Sequence, residues 1–288
     1  MTLIVRGGDF RFRGWTPKFL RKHNLQLPIG IAIFGLIALM AVLAPLLTPY
    51  DPIVQDFSVT LQGPSAQHIL GTDNLGRDVW TRLLYGARID LFLASIAVVV
   101  PFIAGSIIGA LSGYFGGWFD TLVMRVADVV VAFPFYVLVI SLVFILGSGT
   151  GSIIIAISLV SWVAYARIVR GETLIVRSQE FIEASLASGL GTRRVIVRHV
   201  LPNVMTQGIV YAMSDIVMNI GVIVTLSYFG LGIVAPTPDW GNMMGDAQQF
   251  IAGGYFYLTL FPGIAVIITS LGLSLIGDGL AQTLKVSP

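Results

Sequence analysis

Long apolar runs separated by short polar stretches dominate the pattern of this chain. Six of them approach or exceed the length that a helix needs to cross the hydrocarbon core of a bilayer, about 20 residues. They cover 28–48, 89–111, 122–146, 152–169, 208–233 and 255–276. Inside hydrocarbon each backbone amide must be paired within its own segment, so every run predicts a helix. None shows the alternation of apolar and polar residues that a barrel strand requires. The expectation is an all-α integral membrane protein of about six transmembrane helices, with a polar segment over 1–27 and a membrane-embedded domain over 28–288. The first run follows a long polar leader, and no A-x-A site with a soluble remainder comes after it. It therefore reads as a retained span and not as a cleaved signal peptide.

Composition agrees with the pattern. Apolar residues make up 56% of the 288 and charged residues only 11%, less than half the charge that a soluble domain carries. A net charge of +2 gives no argument for nucleic acid. The absence of cysteine excludes disulfides and thiolate metal sites, and His23, His68 and His199 are too scattered to predict a histidine metal site.

The placement of charge says more than its sum. The leader holds Arg6, Arg11, Arg13, Lys18, Arg21 and Lys22. The connector between the fourth and fifth runs, with its flanks, holds Arg167, Arg170, Arg177, Arg193, Arg194 and Arg198. With Arg125 and Lys285, 14 of the 17 basic residues fall on one side of a six-span chain. The positive-inside rule makes that side cytoplasmic, with both termini inside.

Several segments stand out from the spans. Gly105, Gly109 and Gly113 recur every four residues and put small residues on one helix face, as close helix packing requires. Residues 71–88 predict an external interfacial helix from Val79 to Arg88, anchored by Trp80 and Tyr85 and bracing the second span. Residues 235–242 carry Pro236, Pro238 and Trp240 and read as a stiff external turn at the interface, with a lid as the alternative. Residues 178–203 predict two short helices, with Ser178 and Thr192 as caps, a break at Gly189 and Gly191, and Pro202 opening the fifth span. This connector reads equally as a docking knob and as a basic loop that fixes topology. Arg125 and Asp128 are placed to pair on one helix face. Asp215 with Asn219 is either a polar site on a transport pathway or a satisfied helix–helix contact.

The order of Glu183, Ala184, Ser185, Gly189, His199, Leu201 and Pro202 resembles the cytoplasmic signature of ABC importer permeases. In that signature Glu-Ala-Ala is followed three residues later by glycine, and then by a Leu-Pro pair. Ser185 replaces the second alanine, and His199 stands at an apolar position of the signature. Residues 198–203 are similar to the dipeptide, oligopeptide and nickel branch, and 71–78 looks like the external motif of its C-type subunits. Asp120, Arg125, Asp128 and Pro134 also fall at family positions. Ile223 stands where an acid is common, and Lys285-Val286 replaces an Asp-Pro.

The resemblance implies the type I importer permease fold and a subunit without catalytic residues or a metal. Its partners would be a B-type permease, two ATPase subunits and an external substrate-binding protein in a bacterial inner membrane. ATP and magnesium would lie on the ATPases, since this chain has no phosphate-binding GxxxxGK[ST] sequence. Di- or oligopeptides are the implied substrates, with nickel, opine or glutathione as alternatives. Outside this family, the rival expectation is an ATP-independent secondary transporter or channel.

Overall fold

A computed structural model describes residues 25–284. The basic leader, His23, Lys285 and Val286 lie outside the described residues. Among those described there are eleven α-helices and no strand: α1 (Gln26–Val42), α2 (Ala44–Leu47), α3 (Val79–Phe115), α4 (Gly117–Val131), α5 (Phe135–Leu146), α6 (Thr150–Arg177), α7 (Glu180–Ala187), α8 (Thr192–Val195), α9 (Leu201–Tyr228), α10 (Trp240–Ala247) and α11 (Tyr257–Leu284). All six apolar runs are helical. Helices α3, α6, α8 running into α9, and α11 are long and apolar enough to cross a membrane, whereas α1 has 17 residues.

Two expectations change. The segment 79–88 is not a separate helix lying on the membrane but the outer end of the 37-residue α3. No helix breaker separates Arg88 from Ile89, and the polar groups of this end are taken up internally. Arg77 and Arg82 are 4% and 2% exposed, the first held by Asp73 and the second by the Pro52 carbonyl at 2.9 Å. Thr81 is fully buried between Asp78 and Thr48. The third run is also interrupted, because α4 and α5 meet at 87°. Pro134 supplies no N–H, and a proline disfavours helical geometry at the residue before it, so α4 ends before Phe133 and α5 restarts after Pro134.

The packing centre is the seam between α3 and α6. A Cβ at Gly105 or Gly109 would sit on the backbone oxygen of Trp162 or Ala166, and one at Gly113 would lie 2.8 Å from the Arg170 oxygen. The three glycines thus let two backbones touch where hydrophobicity gives no drive to associate. Helix α1 lies along α11, where Gly272 faces Ile33 and Phe34. Most of the outward surface is apolar, with Ile103, Ile107, Phe144, Ile155 and Ile267 among the exposed side chains, as a lipid-facing surface requires.

Candidate functional site

The connector over 178–203 folds as a knob with two short helices. Its caps differ from those expected. Gln179 precedes α7 without a side-chain cap, and the Ser178 hydroxyl instead donates to the Ile175 carbonyl at 2.9 Å. Thr192 is the first residue of α8 and not its cap. The break at Gly189 is as expected. Its φ is +82°, its N–H donates to Leu186 O at 3.0 Å, and Leu190 N–H donates to Ser185 O at 3.2 Å. These two bonds are the Schellman closure of a helix, in which a glycine takes the left-handed position.

Beneath the knob, Ile182, Val195, Ile196, Val200 and Val204 join Ala110 and Tyr114 of α3 and Val169 of α6 in one buried cluster. Leu190 and Leu201 pack against it. The outward face carries Phe181 and Leu186, 44% and 43% exposed, beside the exposed Glu183 and Ala184. Ser185 turns its hydroxyl back to the Phe181 carbonyl at 2.7 Å. Next to this ridge, Gly191, Arg193, Arg194, Val197 and Arg198 line a shallow basic depression.

Between α8 and α9 the backbone forms a five-residue π-turn, Ile196–Val200. Pro202 has no N–H for the Arg198 carbonyl, and the wider turn lets Leu201 N–H reach Ile196 O instead. His199 is half-buried in this turn, and its carbonyl accepts the Asn203 amide at 2.6 Å. The knob is therefore continuous with the fifth span.

The polar residues expected inside the bundle are placed differently from one another. Asp215 is 3% exposed and accepts the Tyr165 hydroxyl at 2.8 Å. Asn219 is fully buried alongside it without a hydrogen bond of good geometry. Arg125 approaches Asp128 only to 3.8 Å, with its side chain 79% exposed. The closer partner of Asp128 is Arg167 of α6 at 2.8 Å. A second tie joins the same helices, where Asp120 takes both Arg170, with Nη2 at 2.6 Å, and the Ser112 hydroxyl of α3. Burial at Ile223 is complete, and it sits in the apolar core.

Sequence reasoning missed Tyr165, Arg167 and Arg170 as partners. All three lie on α6 within five residues. Their clustering of polar groups within the second half of an apolar helix was the available signal.

The end of the bundle remote from the knob is a clasp. Asp73 accepts Arg77 Nε at 2.7 Å, Arg77 Nη2 lies 3.5 Å from Asp246 of α10, and Tyr257 of α11 donates to the Thr72 carbonyl at 3.0 Å. Trp240 is not an interfacial anchor. It is 1% exposed, donating its indole N–H to Leu83 O and its backbone N–H to Asp90. Asp239 caps α10 by accepting from Gly241 and Asn242. Burial holds the Asp239 carboxyl above the usual range, while those two bonds and Arg82 pull it down. These contacts give 71–88 and 235–242 a bracing role.

Comparison with known proteins was made on this architecture. Residues 105–285 match the family model described as binding-protein-dependent transport system inner membrane component. Residues 20–64 match the N-terminal TM domain of oligopeptide transport permease C. The dipeptide transport system permease protein DppC of Alkalihalophilus pseudofirmus is 40% identical over 267 residues, 93% of this chain and 87% of the relative. The glutathione transport system permease protein GsiD of Pectobacterium atrosepticum is 36% identical over 284 residues, 98% and 93% of the two chains. A solved inward-facing structure of the MetNI methionine ABC transporter shares the fold, with a TM-score of 0.56, 19% identity, and coverage of 70% of this chain and 96% of that one. The helical fold is thus a known one, and the chain belongs to the family of binding-protein-dependent transport system inner membrane components.

Proposed function

We propose that this chain is the C-type membrane subunit of an ATP-driven importer of short peptides. It would form half of the translocation pathway beside a B-type permease, with a substrate-binding protein outside and two ATPase subunits inside. Dipeptide and glutathione permeases are among its relatives, and both of those substrates are short peptides. No observation favours nickel or opines. Orientation follows the basic residues, so the knob and both termini would be cytoplasmic.

The observation that carries the reading is the knob itself. Its exposed ridge of Phe181 and Leu186 offers an ATPase a contact surface, with Glu183 and the basic depression as polar neighbours. Its buried side and the π-turn lead into α3, α6 and α9. In this reading Glu183, Ala184, Ser185, Gly189, His199, Leu201 and Pro202 form or shape the coupling element. ATP and magnesium act on the partners, and this chain transmits the motion. Driving an inward–outward equilibrium from 1:99 to 99:1 takes roughly 5.5 kcal/mol of differential binding, to come from ATP and the loaded binding protein.

The test is Gly189→Leu and Glu183→Lys in reconstituted complexes, scored for bound ATPase, peptide-stimulated hydrolysis and uptake. The left-handed φ at position 189 makes any side chain there strained, although open space surrounds it. Both variants should insert normally and lose ATPase binding, hydrolysis and uptake together. Glu180→Lys, which reverses a favourable charge in the first turn of α7, should have a smaller effect. Full coupling in Gly189→Leu would overturn the role of the knob.

A further inference from the structure

A cavity of about 600 Å³ lies against the break in the third span. Its lining includes Pro134 at the break, Ser161 and Arg167 of α6, and Tyr211, Asp215 and Met218 of α9. We propose that this cavity is a water-accessible, cation-receptive section of the pathway, in which the Asp215 carboxylate receives the ammonium group of a passing peptide. The proposal rests on the peptide-importer reading and names the chemistry of its pathway.

Asp215 belongs to a helix that crosses the membrane, where an ionisable side chain is expensive unless it faces a partner or a wet cavity. Its partner here is one neutral hydroxyl, that of Tyr165. Among the described residues no cation pairs with it. Arg167, which lines the same cavity, has its guanidinium on Asp128. One turn on, Asn219 is fully buried behind this wall, beside Asp215 but without a hydrogen bond of good geometry. Asp215, which lines the cavity, therefore carries acceptor capacity that the Tyr165 hydroxyl does not exhaust.

The neighbouring aromatics suit the same ligand. Tyr211 lines the cavity next to the carboxylate, packed edge to face on the buried Tyr165 with ring centroids 4.9 Å apart, and aromatic rings attract ammonium groups. A volume of about 600 Å³ is in the range of small-molecule sites. A peptide with a free amino terminus fits this chemistry, whereas an anion meets a fixed negative charge.

The chain has no cysteine, so a single Met218→Cys reporter can be read without background. In the nucleotide-free assembled transporter it is treated with cationic and anionic methanethiosulfonates of similar size, each rate normalised to a free thiol in water. The cationic reagent should react roughly tenfold faster than the anionic one, the scale of one charge about a helical turn away across a water-filled cavity of dielectric near 80. Adding Asp215→Asn, which keeps the shape and an oxygen for Tyr165, should bring the ratio close to one. Ser161→Cys gives a second reporter on the opposite wall if the first combination assembles poorly. No reaction at either reporter would overturn the proposal, as would a ratio insensitive to Asp215→Asn. ATP-dependent uptake by the unmodified transporter is measured in parallel. If it persists while the ratio fails, only this inference falls; if it is absent, the importer reading falls as well.

Discussion

Adding one methyl group at Gly109 tests whether the α3–α6 seam organises the bundle. The Cβ of Gly109→Ala would overlap Ala166 O and approach Ala166 Cα to 2.9 Å and its carbonyl carbon to 3.0 Å. These are backbone atoms, which cannot swing aside as a long side chain does, so the two helices must separate. Overpacking of this kind costs about 1–3 kcal/mol. Gly171→Ala is the internal control. It lies on α6 with nothing within 4 Å of the added Cβ, so it should gain about 0.5–1 kcal/mol from reduced chain entropy. The two variants, chemically the same substitution on the same helix pair, should therefore differ by about 1.5–4 kcal/mol with opposite signs. At roughly 2–4 °C per kcal/mol for a chain of this size, thermal unfolding of the purified complex resolves the difference. A Gly109→Ala midpoint equal to or above that of Gly171→Ala would refute the claim that backbone contact holds this seam.

Three further outcomes are expected. In intact cells an impermeant thiol reagent should label Thr60→Cys and should reach Ser188→Cys only after permeabilisation; labelling of position 188 from outside would reverse the proposed orientation. Arg167→Ala should lower stability by about 0.5–1 kcal/mol and Arg125→Ala by less. In an Asp128→Ala background the Arg167 effect should largely vanish, as a double-mutant cycle on thermal midpoints will show. Asp239 gives a pH dependence. Its folded carboxyl is raised by burial, so ionisation opposes folding, and its contribution is full below the unfolded value and lost as pH rises through the raised one. Asp239→Asn should flatten that decline in a thermal scan between pH 4 and about 7, and an unchanged slope would exclude this group as its source.

The apolar runs were legible because hydrocarbon imposes a simple rule on backbone amides, and every run is a helix. What the runs could not show was where a helix stops. Val79–Arg88 looked amphipathic because Thr81 and Arg82 are polar, yet Thr48 and the Pro52 carbonyl, which take up these two side chains, come from about 30 residues earlier in the chain. Pro134 was visible, but the 87° bend depends on what fills the space beside it. The knob was legible from Gly189 and Pro202, which act locally through backbone geometry. Asp128 was paired in sequence with its neighbour three residues before, whereas the structure prefers Arg167, 39 residues on. Local ties can be read from spacing, but ties between helices need the packing that brings them together.

Helix α3 runs without a break from the clasp to the cluster under the knob, 37 residues in all. At 1.5 Å per residue that is about 55 Å, nearly twice the hydrocarbon thickness of about 30 Å. Moved as a rigid rod, it behaves as a lever. A tilt of about 5° about its knob end carries the far end sideways by about 5 Å, the width of a strand of peptide. Tyr114 stands near one end of this lever and Arg82 near the other, so a small angular change imposed from below reaches the outer face magnified by length alone.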